Sequence, residues 1–166
     1  MAHPDLKLPP PFDELLRLHE HEIMRLCLRL TADRQDALDL FQDIWLRAYR
    51  AYPRLSAAPN ARAWLFTIAT NRDRNRRRDR MRRDRIFAPE PIGDHRAAAA
   101  NDPAALATHL RRSIERLPDH QRRAFVMRKL GGLNYEEIGT ALDCSPAAAR
   151  AHVFVALKKI KAGWPS

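Results

Sequence analysis

Apolar residues recur at three- and four-residue intervals through long segments of the chain, and prolines punctuate the intervals between them. No Val-, Ile- and Thr-rich stretch alternates at the two-residue period of a strand, so the pattern predicts an all-α protein. A first helix is expected over about residues 12–31 and a second over about 34–52. In the second, Leu38, Phe41, Trp45, Ala48, Tyr49 and Tyr52 share one face at helical spacing and are expected to point inward. Asp36, Leu40, Asp43 and Arg47 then fall on the opposite face, which would leave Leu40 exposed among charges. A third helix is expected from about Asn60 to about residue 85, buried through Ala61, Trp64, Leu65, Ile68 and Ala69, with Phe66 off that stripe. Its later turns are almost wholly charged and read as an extension into solvent.

The C-terminal third carries clearer punctuation. Residues 119–130 read as a helix opened by Pro118 and closed by Gly131-Gly132. Asn134 and Glu137 stand at the spacing of a capping box, ahead of a short helix over 135–142 that buries Ile138 and Leu142. Gly139 sits where two helices could cross closely. Asp143-Cys144 makes a turn, and Ser145 caps a longer helix with Pro146 in its first turn. Ala149, Val153, Ala156, Leu157 and Ile160 form its inner face. A short helix, a tight turn and a longer helix make a helix-turn-helix, whose second helix enters the major groove of DNA. The fold expected is two small helical domains, 1–88 and 104–166, joined by a flexible Pro- and Ala-containing linker over 89–103.

Charge sharpens this picture. The 166 residues carry a net charge of +10, a balance that points to a polyanionic partner. Residues 1–71 are neutral overall; the excess lies in 72–85, with nine Arg against three Asp, and in 104–166, with eleven basic against five acidic residues. Two cysteines, Cys27 and Cys144, cannot build a disulfide framework, and a reducing cytoplasm is the expected location. No run of eighteen apolar residues exists, so no membrane insertion is expected, and the N-terminus lacks the pattern of a signal peptide. The HEHE run at 19–22 lacks the second histidine of a zincin, having Ile23 or Arg25 at that position. No Gly-rich phosphate loop and no nucleophile–base motif appears, so neither catalytic residues, metal nor cofactor are expected, and the protein is not expected to be an enzyme.

The segments DALDLFQDIWLRAYRAYPRL, ARAWLFTIATNRDRNRRRDR and LPDHQRRAFVMRKLGGLNYEEIGTALDCS, in this order, resemble the extracytoplasmic-function (ECF) group of bacterial RNA polymerase sigma factors. The resemblance covers residues 12–85 and 105–161 and implies that family's second and fourth domains. It implies that Asp39, Leu40, Gln42 and Asp43 contact core RNA polymerase. It also implies that Asn71 and Arg72 hold the non-template strand of the −10 promoter element, and that the loop at about Pro53–Asn60 receives a flipped base. Arg74, Arg76, Arg77 and Arg78 would neutralise phosphates. Ser145, Arg150, His152 and Lys158 would meet the −35 element. An inhibitory anti-sigma factor is a further implied partner.

One departure concerns the recognition helix. It runs SPAAARAHVFVALKKIK, with Ala148-Ala149 where relatives carry Thr-Val and Val155 where they carry Arg. Few side chains remain to read base edges by hydrogen bonds. Phe154 and Val155 either form an outward apolar patch for an anti-sigma helix, or Phe154 folds back onto the preceding helices. Two other classes share parts of the pattern. A helix-turn-helix regulator would bind duplex DNA without polymerase, and a basic RNA-binding protein would show no promoter preference.

Overall fold

In the computed structural model, residues 9–55, 60–87 and 103–164 are described, and they are helical apart from short turns. α1 (Phe12–Leu30) begins with Asp13 and Glu14 in its first turn, where carboxylates favour the positive end of the helix dipole. Thr31 closes it by donating its hydroxyl to the Cys27 carbonyl at 2.8 Å. α2 (Arg34–Ala51) starts at Asp33, whose carboxylate accepts the Asp36 amide at 2.8 Å. After a 3-10 turn, Tyr52–Arg54, α3 (Ala61–Phe87) is capped by Asn60, which accepts the Ala63 amide at 2.9 Å. These three helices pack together, with α2 against both α1 and α3.

The second unit is α4 (Pro103–Glu115), α5 (Asp119–Phe125), α6 (Tyr135–Leu142) and α7 (Pro146–Ala162). α5 runs on into a wider, π-type turn, Val126–Leu130, before Gly131. Asn134 and Glu137 form a complete capping box at the start of α6, and Ser145 accepts the Ala148 amide at the start of α7. Asp143 takes up the left-handed conformation between them, with φ of 54°. A Cβ on Gly139 would lie 2.7 Å from the Cys144 carbonyl oxygen, so the tight crossing needs glycine there. α7 spans α5 and α6, burying Ala149, Val153, Ala156 and Ile160, while Leu157 is half-buried. α3 also packs on α6 and on the π-type turn, so one apolar core runs from Leu15 to Ile160 through both units.

Three features differ from the sequence reading. Leu40 is not on an exposed face: it is fully buried, at 0% exposure, with Ala37, Ile44, Trp45 and Ala48. The inward stripe of α2 is rotated by one residue, because α2 is clamped between two helices and the 37-40-44-48 row points at both. Tyr49, expected inside, is 63% exposed, although its ring meets Phe12 edge-on at 5.2 Å. Phe66 is buried despite lying off its stripe, because the turn at Gly131 covers that side of α3. The later turns of α3 are not free in solvent as far as Arg80, since acidic and carbonyl groups of α2, α4 and α5 engage their arginines.

The expected linker, 89–103, lies outside the described residues except for Pro103, which opens α4. Of the loop at 53–60, only Pro53–Leu55 and Asn60 are described. Among the described residues no helix is long and apolar enough to cross a membrane. Among those residues, too, no three His, Cys, Asp or Glu side chains gather to hold a metal ion.

Candidate nucleic-acid interface

Two surfaces gather the residues singled out in the sequence. The first lies between α2 and α3. Successive turns of α2 present Asp36, Asp39 and Asp43, and α3 faces them with Arg72, Arg76 and Arg82, around a groove of about 610 Å³. Arg72 donates Nε and Nη2 to one oxygen of Asp43, at 2.9 and 2.6 Å. Arg76 holds both the Asp36 carboxylate, at 2.9 Å, and its carbonyl, at 2.8 Å. The Asp43 expected at a polymerase surface and the Arg72 expected on DNA therefore share one ion pair. Asp39 is exposed and accepts from Gln35 at 3.2 Å; Gln42, Asn71 and Arg78 are exposed. Leu40 lies beneath this surface and supports it from the core.

Three further arginines of the tract, Arg74, Arg77 and Arg80, turn toward the second unit. Arg74 pairs with Asp119 at 3.4 Å, Arg80 approaches Glu115 at 3.9 Å, and Arg77 donates to the Glu115 carbonyl. Burial draws the Arg77 pKa below its ordinary value, with Arg122 adding to the effect. Between them Asp73 of α3 meets Arg122 of α5 in a buried pair, the two residues 7% and 2% exposed. Sequence reasoning missed this pair. The available signal was that Asp73 continues the row Phe66, Ala69, Asp73 on the covered side of α3. Cys27 lies nearby; burial, then the Asp73 charge, pushes its thiol up to about 12, which makes it unreactive near neutral pH.

The second surface is the outer face of α7. Ala147, Arg150, Ala151, Phe154, Val155 and Lys158 are exposed, with Phe154 67% accessible, so it does not fold back. Ser145 spends its hydroxyl on the helix cap, accepting the Ala148 amide at 3.1 Å. His152 stacks on His120 of α5, centroids 5.7 Å apart. Arg150 lies over the Tyr135 ring at 5.2 Å, and Arg128 over the same ring at 5.0 Å. Such a face offers methyl groups for thymine and one fixed guanidinium for a base edge. Arginine-lined α3 and a helix-turn-helix in one chain suit a partner that is DNA in two segments.

Comparison with known proteins agrees with this geometry. The pattern of sigma-70 region 2 matches residues 15–83, and that of sigma-70 region 4 matches residues 108–160. The RNA polymerase sigma-H factor of Pseudomonas aeruginosa is 30% identical over 161 residues, spanning 90% of this chain and 83% of that protein. The ECF RNA polymerase sigma-E factor of Escherichia coli is likewise 30% identical over 161 residues, 90% of this chain and 84% of its own. Among solved structures, the sigma factor RpoE of Bartonella quintana, crystallised with the anti-sigma factor NepR, superposes with a TM-score of 0.66. It is 20% identical, and the match covers 92% of this chain and 95% of that one. With relatives of this identity aligned over most of both lengths, and both sigma regions matched in order, the chain belongs to the extracytoplasmic-function group of the sigma-70 family.

Proposed function

We propose that this chain binds core RNA polymerase in the cytoplasm and directs it to promoters through two DNA contacts, under the control of an anti-sigma factor. It is an initiation factor and not an enzyme; the polymerase supplies the chemistry. The unit formed by residues 1–88 carries polymerase and −10 recognition, and residues 104–166 carry −35 recognition. Asp39, Gln42 and Asp43 form the polymerase contact, standing on the buried Leu40. Asn71 and Arg72 hold the unpaired −10 strand, and Arg74, Arg76, Arg77 and Arg78 neutralise its phosphates. Arg150 reads the −35 element, with Ser145, His152 and Lys158 around it. The exposed Phe154 and Val155 suit an apolar partner such as an anti-sigma helix.

The observation that carries this reading is the pairing, in one chain, of an arginine-rich α3 beside an acidic α2 with a capped helix-turn-helix. Run-off transcription with core polymerase and a genomic promoter library tests it. Transcripts sharing a −35 and a −10 element are expected, and none without this protein. Specific binding to duplex DNA that polymerase neither needs nor strengthens would identify a simple regulator instead.

A further inference from the structure

The outer face of α7 carries two neighbouring rows of side chains. One is Ala147, Ala151 and Val155, four residues apart; the other is Arg150, Phe154 and Lys158. All six are exposed, Phe154 at 67% and Val155 at 36%. The opposite side of the helix, through Ala149, Val153, Ala156 and Ile160, is buried and holds the face in place. The first row ends in carbon throughout. Polar side chains close to it in sequence are engaged elsewhere: Ser145 caps the helix, His152 stacks on His120, and Arg150 lies over Tyr135. Lys158 and Lys159 are exposed beyond the row and supply positive charge for phosphates.

We propose that this row reads thymine: Ala151 and Val155 sit on the C5-methyl groups of two thymines of the −35 element, and no hydrogen bond reads those two base pairs. The inference rests on the assignment of α7 to that element made above. Of the four bases, thymine alone carries a methyl group on its major-groove edge. Contact with an alanine or valine methyl takes both partners out of water. Cytosine and adenine put an amino group into the same space, and guanine puts acceptors there. Against a row of carbon each of these polar groups loses water and gains no partner. Selection therefore comes as much from rejection of the other bases as from attraction to thymine. Residues four apart on a helix rise by about 6 Å and base pairs by about 3.4 Å, so the two thymines lie one or two steps apart. Phe154, beside Val155, widens the dry contact.

Transcription by the full chain with core polymerase tests this, on the most active promoter from a library randomised at −35. Each −35 thymine is replaced singly by deoxyuridine, which lacks only the methyl group, and transcript yield is read at limiting enzyme. Loss of about threefold to fivefold is expected at two positions, the worth of one buried methyl. Cytosine at those positions is expected to be poor, and 5-methylcytosine, which restores the methyl, to recover part of the loss. Val155→Ala should bring the thymine-to-uracil ratio at one of them toward unity. Val155→Arg should exchange thymine for guanine there, since arginine takes guanine O6 and N7. Equal yields from thymine and uracil templates at every −35 position overturn the proposal. So does a thymine-to-uracil ratio that stays the same in Val155→Ala, Val155→Arg and Ala151→Ser. A library in which the −35 sequence makes no difference to yield overturns the assignment of α7 itself, and the thymine reading with it.

Discussion

Phe66 of α3 lies against Gly131 so closely that a methyl group at residue 131 would overlap Cε1 of the ring and stand 2.8 Å from Cδ1. Gly131 has φ of −97°, open to any residue, so its small size is what the site needs. Its neighbour Gly132 is the reverse case, with φ of +67° and space for a Cβ. Gly131→Ala is therefore expected to cost about 1–3 kcal/mol by overpacking, with loss of amide-exchange protection around Phe66. Gly132→Ala should cost about 1–2 kcal/mol through its backbone alone and leave that protection intact. Hydrogen exchange by mass spectrometry separates the two.

Leu40→Ala is expected to destabilise the protein by about 2–5 kcal/mol, as removal of a fully buried leucine does. Urea denaturation measures it. Asp39→Arg and Gln42→Ala, on the exposed side of the same helix, should shift stability by about 0.5 kcal/mol or less. Competition binding to core polymerase should nonetheless weaken in both. A Leu40 substitution that lowers polymerase affinity is accordingly expected to do so through the fold.

The contrast shows what the sequence could carry. Caps are local: Asn134 with Glu137, and Ser145 ahead of Pro146, use residues three apart, and each forms as the pattern implies. Gly139 was legible for the same reason, whereas the pattern left Phe154 open between an outward and a folded-back position and its exposure decides for the first. The rotation of α2 was not, because two adjacent rows, 37-40-44-48 and 38-41-45-49, are both largely apolar. Choosing between them needs to know that α1 and α3 grip the first row while Phe12 reaches only the edge of the second. The arginines of α3 read as uncommitted because their partners in the second unit, Glu115 and Asp119, lie 35 to 45 residues away. No periodicity reports a pairing between units.

Glu22 of α1 ties α1 to α3 through Arg62, at 2.5 Å. Burial raises the Glu22 pKa, but the hydrogen bonds and charge of Arg62, with a smaller part from His19, outweigh it, and the net shift is downward. A depressed carboxyl contributes stability that is fully present above its unfolded pKa and lost as pH falls through its folded one. Wild type should therefore lose about 1 kcal/mol from this pair as pH falls below about 4. Glu22→Gln should be less stable at neutral pH by a similar amount, and its melting temperature should fall less steeply in acid. Calorimetric scans from pH 7 to 3 give both slopes; parallel slopes would remove the pair from the stability of the fold.

Arg150 and Lys158 both project from the exposed face of α7, but they are held differently, and this decides how each meets DNA. Arg150 rests over Tyr135, which Arg128 also approaches, while Arg128 is anchored to the Leu133 carbonyl at 2.9 Å. The Tyr135 ring thus sets the direction of the one guanidinium on a face whose other exposed groups are mostly methyl and apolar, with Lys158 beyond them. A bidentate arginine–guanine contact discriminates by about 1–3 kcal/mol. Arg150→Ala is expected to lose that preference at one or two base pairs of the −35 element. Tyr135→Ala removes the cation–π restraint, about 0.5–1 kcal/mol at an exposed site, and should blunt the same preference in part. Tyr135→Phe keeps the ring and should keep the preference. Lys158→Ala should weaken binding equally at all sequences and lower the salt slope by about one. Transcription from a saturated −35 library, read for each variant, resolves these patterns. Strong preferences at four or more positions that survive Arg150→Ala would assign −35 readout to groove shape and methyl contacts instead.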